Sequence, residues 1–129
     1  MTTGNRSQDG TPAPSLRKAA VLSVGSKNGV AIVQLGGELD LYNAPAVRAA
    51  LEQASADGAE RVVVDLSEVE FIDSTALGVL IEARSRFPNR KAFVLAGPGL
   101  ETRRALEISG LDRHFGVHSS VDEALAAAP

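Results

Sequence analysis

The 129-residue chain reads as an α/β domain, a mixed β-sheet of four to five strands with helices packed against it. Three observations predict this. Short apolar, β-branched runs of strand length alternate with segments of helical period. The first two runs are separated by the loop Gly25-Ser26-Lys27-Asn28-Gly29, whose Asn-Gly pair predicts an antiparallel hairpin. Each later run is preceded by a helical segment, which makes the remaining connections right-handed parallel crossovers.

Taken in order, residues 1–17 are rich in Thr, Gly, Ser, Pro and Asn and poor in large apolar groups. They cannot offset the entropy of ordering and are expected to form a disordered tail. A single domain is expected over residues 18–129. Residues 19–24 and 30–35 are the hairpin strands, and Asn28-Gly29 supplies the positive φ angles of the turn. Gly36-Gly37-Glu38-Leu39-Asp40-Leu41-Tyr42-Asn43 is expected to be a loop ending at a helix start. Asn43 is placed to cap that helix, and Pro45 sits in its first turn. Val47, Leu51 and Ala54 recur at helical spacing until Gly58.

Val62-Val63-Val64 opens the next strand, and the acidic stretch from Asp65 to Asp73 reads as the loop after it. A helix follows from Ser74, stopped by Pro88. Residues 91–96 form another buried strand, and residues 101–109 a helix closed by Gly110. Residues 115–117 read as a short edge strand, and Ser120 with Glu123 forms a capping box for a last helix through Ala127. Loops beyond the carboxyl ends of parallel strands gather at one edge of such a sheet. Asp40, Asp73 and Ser74 are therefore expected to lie near one another, with the loop at residues 97–100 on the same edge.

The helix after Ser74 carries more apolar surface than one core face needs. At 100° per residue, Ala76, Leu77, Val79, Leu80, Ile81 and Ala83 span about 200°, roughly twice the minimum stripe. The excess is either a docking surface for another protein or is covered by a neighbouring element of the same domain.

Composition excludes several functions. A net charge of −3 and a pI near 5.3 argue against direct nucleic-acid binding and against an anionic membrane surface, both of which need a basic face. The apolar runs are too short to cross a bilayer, and the polar N-terminus lacks a hydrophobic signal core, so a cytoplasmic protein is expected. With no cysteine there is no disulfide, thiol catalysis or cysteine metal site. His114 and His118 alone fall short of a metal site. No phosphate-gripping glycine motif is present, so no cofactor is expected. Ser74 lies in Asp-Ser-Thr rather than on a nucleophile elbow, which argues against a serine hydrolase. Asp40 and Asp73 invite comparison with a paired-carboxylate acid/base site, against the simpler reading of Asp as a helix cap. Ser74 likewise reads either as a cap or as a functional hydroxyl.

The run of neighbours distinguishes these. Asp65-Leu-Ser-Glu-Val-Glu-Phe-Ile-Asp-Ser-Thr-Ala-Leu-Gly-Val-Leu80 resembles the signature of the STAS domains of anti-sigma factor antagonists, a D-L-S/T turn followed by an aromatic-apolar pair and D-S-S/T-G-L-G. Upstream, Gly37-Glu38-Leu39-Asp40 resembles that family's G-E-L/I-D. Downstream, Ile108-Ser-Gly-Leu-Asp-Arg-His-Phe115 resembles its G-L-x-x-x-F. The similarity covers residues 19–127 with all three motifs in order.

The resemblance implies a STAS-like sheet and a partner-switching protein rather than an enzyme. In that family the serine matching Ser74 is phosphorylated by an anti-sigma factor serine kinase. The unphosphorylated protein binds that kinase and releases its sigma factor, whereas the phosphorylated form cannot bind until a phosphatase removes the phosphate. Asp40 and Asp73 would flank the acceptor, Thr75 offers a second hydroxyl, and Leu77, Val79 and Leu80 are the expected partner-binding side chains. The family's glycine after Ser-Ser/Thr is Ala76 here. The alternative from another class is a non-catalytic STAS interaction or sensing module of a larger signalling or transporter complex.

Overall fold

The computed structural model describes residues 19–127; the tail expected over residues 1–17 lies outside them. Five strands form one sheet in the order β1-β2-β3-β4-β5. β1 (Val21–Lys27) and β2 (Val30–Leu39) form the antiparallel hairpin, with Lys27 opposite Val30. Asn28 and Gly29 turn the chain with φ of 54° and 81°, the left-handed pair that matches the twist of the flanking strands. The hairpin turn is thus two residues long, and Gly25, Ser26 and Lys27, expected in the loop, belong to β1. Three parallel strands follow, β3 (Arg61–Ile72), β4 (Phe93–Ala96) and β5 (Gly116–His118).

The helices α1 (Ala44–Ala56), α2 (Ser74–Arg84) and α3 (Leu100–Ser109) bury Val47, Leu51, Leu80 and Leu106 in the larger core on one face of the sheet. The short α4 (Val121–Ala126) covers the other face, where Ala124 packs on Val63, Val94 and Ala96. Between these layers β3 is buried on both sides: Val62 and Val64 point into the larger core and Val63 into the smaller one. That explains an unbroken β-branched run where an alternating pattern marks a half-buried strand. No helix among the described residues is long and apolar enough to cross a membrane.

The acidic stretch after Asp65 is not a loop. β3 continues to Ile72, pairing with β2 as far as Leu39, and keeps Val69 and Ile72 buried while Ser67, Glu68, Glu70 and Phe71 face solvent. Two register shifts, between Gln34 and Gly36 and between Gly37 and Glu38, disturb the regular inside–outside alternation. β3 therefore runs well beyond β4, whose pairing stops at Asp65. The loop at Gly97 lies against Ser67, five residues before the end of β3 or roughly 16 Å along the strand. It is thus set back from the edge where β2 and β3 end, and only two of the three expected loops meet there.

Candidate functional site

β2 and β3 stop level with each other, Leu39 opposite Ile72, so the chain leaves both strands at one place through Asp40 and Asp73. The Asp73 N–H donates to Leu39 O at 3.0 Å, extending the ladder by one bond. The Leu41 N–H donates to Asp73 Oδ2 at 3.2 Å. The two loops are therefore tied together, and Asp40, Asp73 and Ser74 share one edge as expected.

Within the first loop, Asp40 Oδ1 accepts from the N–H groups of Tyr42 and Asn43, an Asx-type turn. Asn43 stands at the capping position of α1 but does not cap it. Its Oδ1 instead accepts from the Asp40 N–H at 2.8 Å, and its Nδ2 donates to Glu38 O at 2.7 Å. The side chain thus braces the loop, while Pro in the first turn needs no donor partner.

The cap of α2 is Asp73 rather than Ser74. Asp73 has extended backbone, and its Oδ1 accepts from the Ala76 N–H at 2.9 Å. With both oxygens holding backbone N–H groups, the Asp73 carboxylate is a structural acceptor at a helix mouth, where negative charge is favoured. Ser74 is consequently the first helical residue. Its side chain is exposed, and among the described residues its hydroxyl has no hydrogen-bond partner. Thr75 is also exposed, whereas Ala76 is fully buried.

The three side chains expected to meet a partner do not reach the surface. Leu77, Val79 and Leu80 are 8%, 3% and 0% exposed. The reason is that α2 packs against α1, and these side chains join the larger core together with residues of β2, β3 and β4. Arg48 to Glu82 at 3.1 Å bridges the two helices, and Arg86, just past the end of α2, reaches Glu52 of α1 at 3.2 Å. Of the wide apolar arc, Ile81 is the one large side chain left exposed. The accessible apolar groups at this edge are others, Leu41 and Tyr42 in the loop tied to Asp73, and Phe71 near the end of β3. Their sequence signal was two large apolar residues in an otherwise polar turn.

The histidines lie elsewhere. His118 is on β5 with Nδ1 3.7 Å from Glu123 Oε1. Glu123 accepts the N–H and O–H of Ser119, and these bonds, the N–H first, hold its carboxyl below the usual range. Among the described residues no group of three or more His, Asp or Glu side chains is placed to hold a metal ion.

A family model described as the STAS domain matches residues 22–124. The chain is 36% identical over 104 residues to the anti-sigma-F factor antagonist RsfB of Mycobacterium tuberculosis, covering 81% of this chain and 85% of that protein. It is 34% identical over 80 residues to the anti-sigma-B factor antagonist of Staphylococcus aureus, covering 61% of this chain and 74% of that one. The crystal structure of an anti-sigma factor antagonist from Mycobacterium paratuberculosis superposes with a TM-score of 0.74 at 34% identity, covering 80% of this chain and 88% of that one.

Proposed function

Because the chain belongs to the STAS-domain anti-sigma factor antagonist family, we propose that it is an anti-sigma factor antagonist switched by phosphorylation of Ser74. Unphosphorylated, it binds an anti-sigma factor serine kinase and frees the sigma factor that kinase holds. Phosphorylated, it cannot bind, and a phosphatase returns it to the active pool.

The observation that carries this reading is the state of the Ser74 hydroxyl, which is exposed and has no partner among the described residues because Asp73 does the capping. An acceptor serine must be reachable, and one engaged in capping would have to break a stabilising bond first. Position on a helix N-terminus favours the product as well, since the helix dipole and unsatisfied N–H groups tolerate an anion. Thr75 is exposed too, and the preference for Ser74 rests on its place in the Asp-Ser-Thr motif.

Leu41 and Tyr42, with Phe71 near the end of β3, replace Leu77, Val79 and Leu80 as the partner surface in this reading. They present apolar area on a loop that is fixed to Asp73. A phosphate adds about −1.5 to −2 charges at neutral pH beside a carboxylate that is already there. Negative charge of that size at the rim of an apolar contact would block docking without altering the fold. Asp73 and Asp40 act on the acceptor indirectly, by holding the two loops in place.

A displacement assay tests this. The complex of an anti-sigma factor kinase with fluorescently labelled sigma factor is titrated with wild type, Ser74→Ala and Ser74→Glu protein, and sigma release is followed by anisotropy. Wild type and Ser74→Ala should release sigma, and Ser74→Glu should be weaker by about tenfold or more. No release by either of the first two would refute the proposal.

A further inference from the structure

The far end of α2 from Ser74 opens onto a groove of about 920 Å³ lined by Arg61, Arg84, Arg90, Lys91, Val94 and Val117. We propose that this groove binds an organic anion carrying a phosphate group on an apolar body. The proposal is independent of the switch at Ser74.

Charge is the first argument. The groove gathers four permanent cations together with His118, and among the described residues no carboxylate lines it. None of the four is ion-paired among the described residues, whereas Arg48, Arg86 and Arg104 all pair with glutamates. In a chain with 16 acidic residues against 13 Lys and Arg, a cationic cluster left without an acid among the described residues is a site that an anion would complete. Glu123, whose carboxylate accepts from Ser119, lies 3.7 Å from His118.

Preorganisation is the second. The Arg84 Nε donates to His114 O at 3.0 Å, and the Arg90 Nη2 donates to Phe115 O at 2.9 Å. Two like-charged guanidinium groups lining one groove are thus each tethered to a carbonyl, those of the consecutive residues His114 and Phe115. The bonds leave both terminal nitrogens of Arg84, and Nε and Nη1 of Arg90, unengaged within the described chain. Guanidinium forks fixed in this way suit the oxygens of a phosphate, since little further order is lost on binding. Arg61, buried and bonded to the carbonyls of Lys91 and Ala124, adds a fixed charge behind them.

The third argument is shape. Pro88, Val94 and Val117 give the groove apolar walls, and its volume falls in the range of about 300–1,000 Å³ usual for small-molecule sites. Apolar walls with cations along one side match a ligand whose phosphate is attached to an apolar group rather than inorganic phosphate alone.

The test is an amide NMR titration of the full chain with phenyl phosphate at low salt, with inorganic phosphate run in parallel. Saturable shifts confined to residues 90–94 and 116–118 are expected. The double variant Arg90→Gln/Lys91→Gln should bind about tenfold more weakly, because two charge-assisted contacts are lost. Arg104→Gln, a charge loss elsewhere on the surface, should bind within about twofold of wild type. Shifts that fail to saturate or are scattered over the surface would overturn the proposal, as would a double variant that binds like Arg104→Gln. Inorganic phosphate binding as tightly as phenyl phosphate would overturn the assignment of an apolar body.

Discussion

Replacing Asp73 by Ala removes a carboxylate that holds two different segments. Its Oδ1 takes the Ala76 N–H at 2.9 Å and its Oδ2 the Leu41 N–H at 3.2 Å. Loss of the first is loss of the α2 cap, which costs about 1 kcal/mol. Removing negative charge from the helix mouth costs about 0.5 kcal/mol more. The Leu41 bond is exposed, so water substitutes for the carboxylate and its loss adds only about 0.5 kcal/mol. The sum, about 2 kcal/mol, corresponds to a fall in Tm of about 8 °C for a domain of this size. Asp73→Asn keeps an acceptor for the Ala76 N–H but loses the charge, and should cost about half as much. Urea denaturation followed by far-UV circular dichroism, with unchanged m-values, measures both. Asp73→Ala within about 0.5 kcal/mol of wild type would refute the capping account. The same variants address positioning of the acceptor: folded Asp73→Ala should be phosphorylated more slowly than wild type. A wild-type rate would show that the Asp73 carboxylate does not help present Ser74.

Four further outcomes follow from the geometry. Asn43→Ala, which deletes the bonds to the Asp40 N–H and Glu38 O, should lower stability by about 1–2 kcal/mol in the same urea experiment; an unchanged midpoint would contradict the bracing role. Arg61→Ala empties a buried site and orphans the carbonyls of Lys91 and Ala124, so a loss of about 3 kcal/mol is expected, with Arg61→Lys recovering only part of it. Phosphorylated protein should keep the far-UV spectrum of the unmodified form, because Ser74 is exposed at a helix start; a large spectral change would mean that the switch works by refolding. Glu123 has its folded pKa held below the ordinary 4.5, so its stabilising contribution is present above that value and fades as pH falls through the lower folded pKa. Glu123→Gln should therefore flatten the acid side of the stability–pH curve, and an unaltered curve would show that the Ser119 bonds do not contribute.

The sequence was most legible where one signal governs the outcome locally. Asn28-Gly29 determined the hairpin turn, Gly110 closed α3 in the left-handed conformation, and Ser120 capped α4 through the Glu123 N–H. It was least legible where neighbours decide. Glu68 and Glu70 read as loop residues, yet they lie on the solvent side of β3, where it runs past β4 with bulges in its pairing to β2. The α2 arc read as surplus surface because its periodicity does not reveal that α1 packs against it. That single packing fact removed Leu77, Val79 and Leu80 from the surface and left Leu41, Tyr42 and Phe71 as the exposed apolar groups at the site edge. Asp73 and Ser74 were both visible as helix-start residues. Which of them caps was decided by the extended backbone at Asp73, set as β3 ends beside Leu39.

The central claim is that Ser74 is a phosphate acceptor, and intact-mass spectrometry tests it most directly. Wild type and Ser74→Ala are incubated separately with the anti-sigma factor kinase of the same organism and Mg-ATP. The account predicts a gain of one phosphate in wild type and none in Ser74→Ala. No gain in wild type, or the same gain in Ser74→Ala, would contradict it.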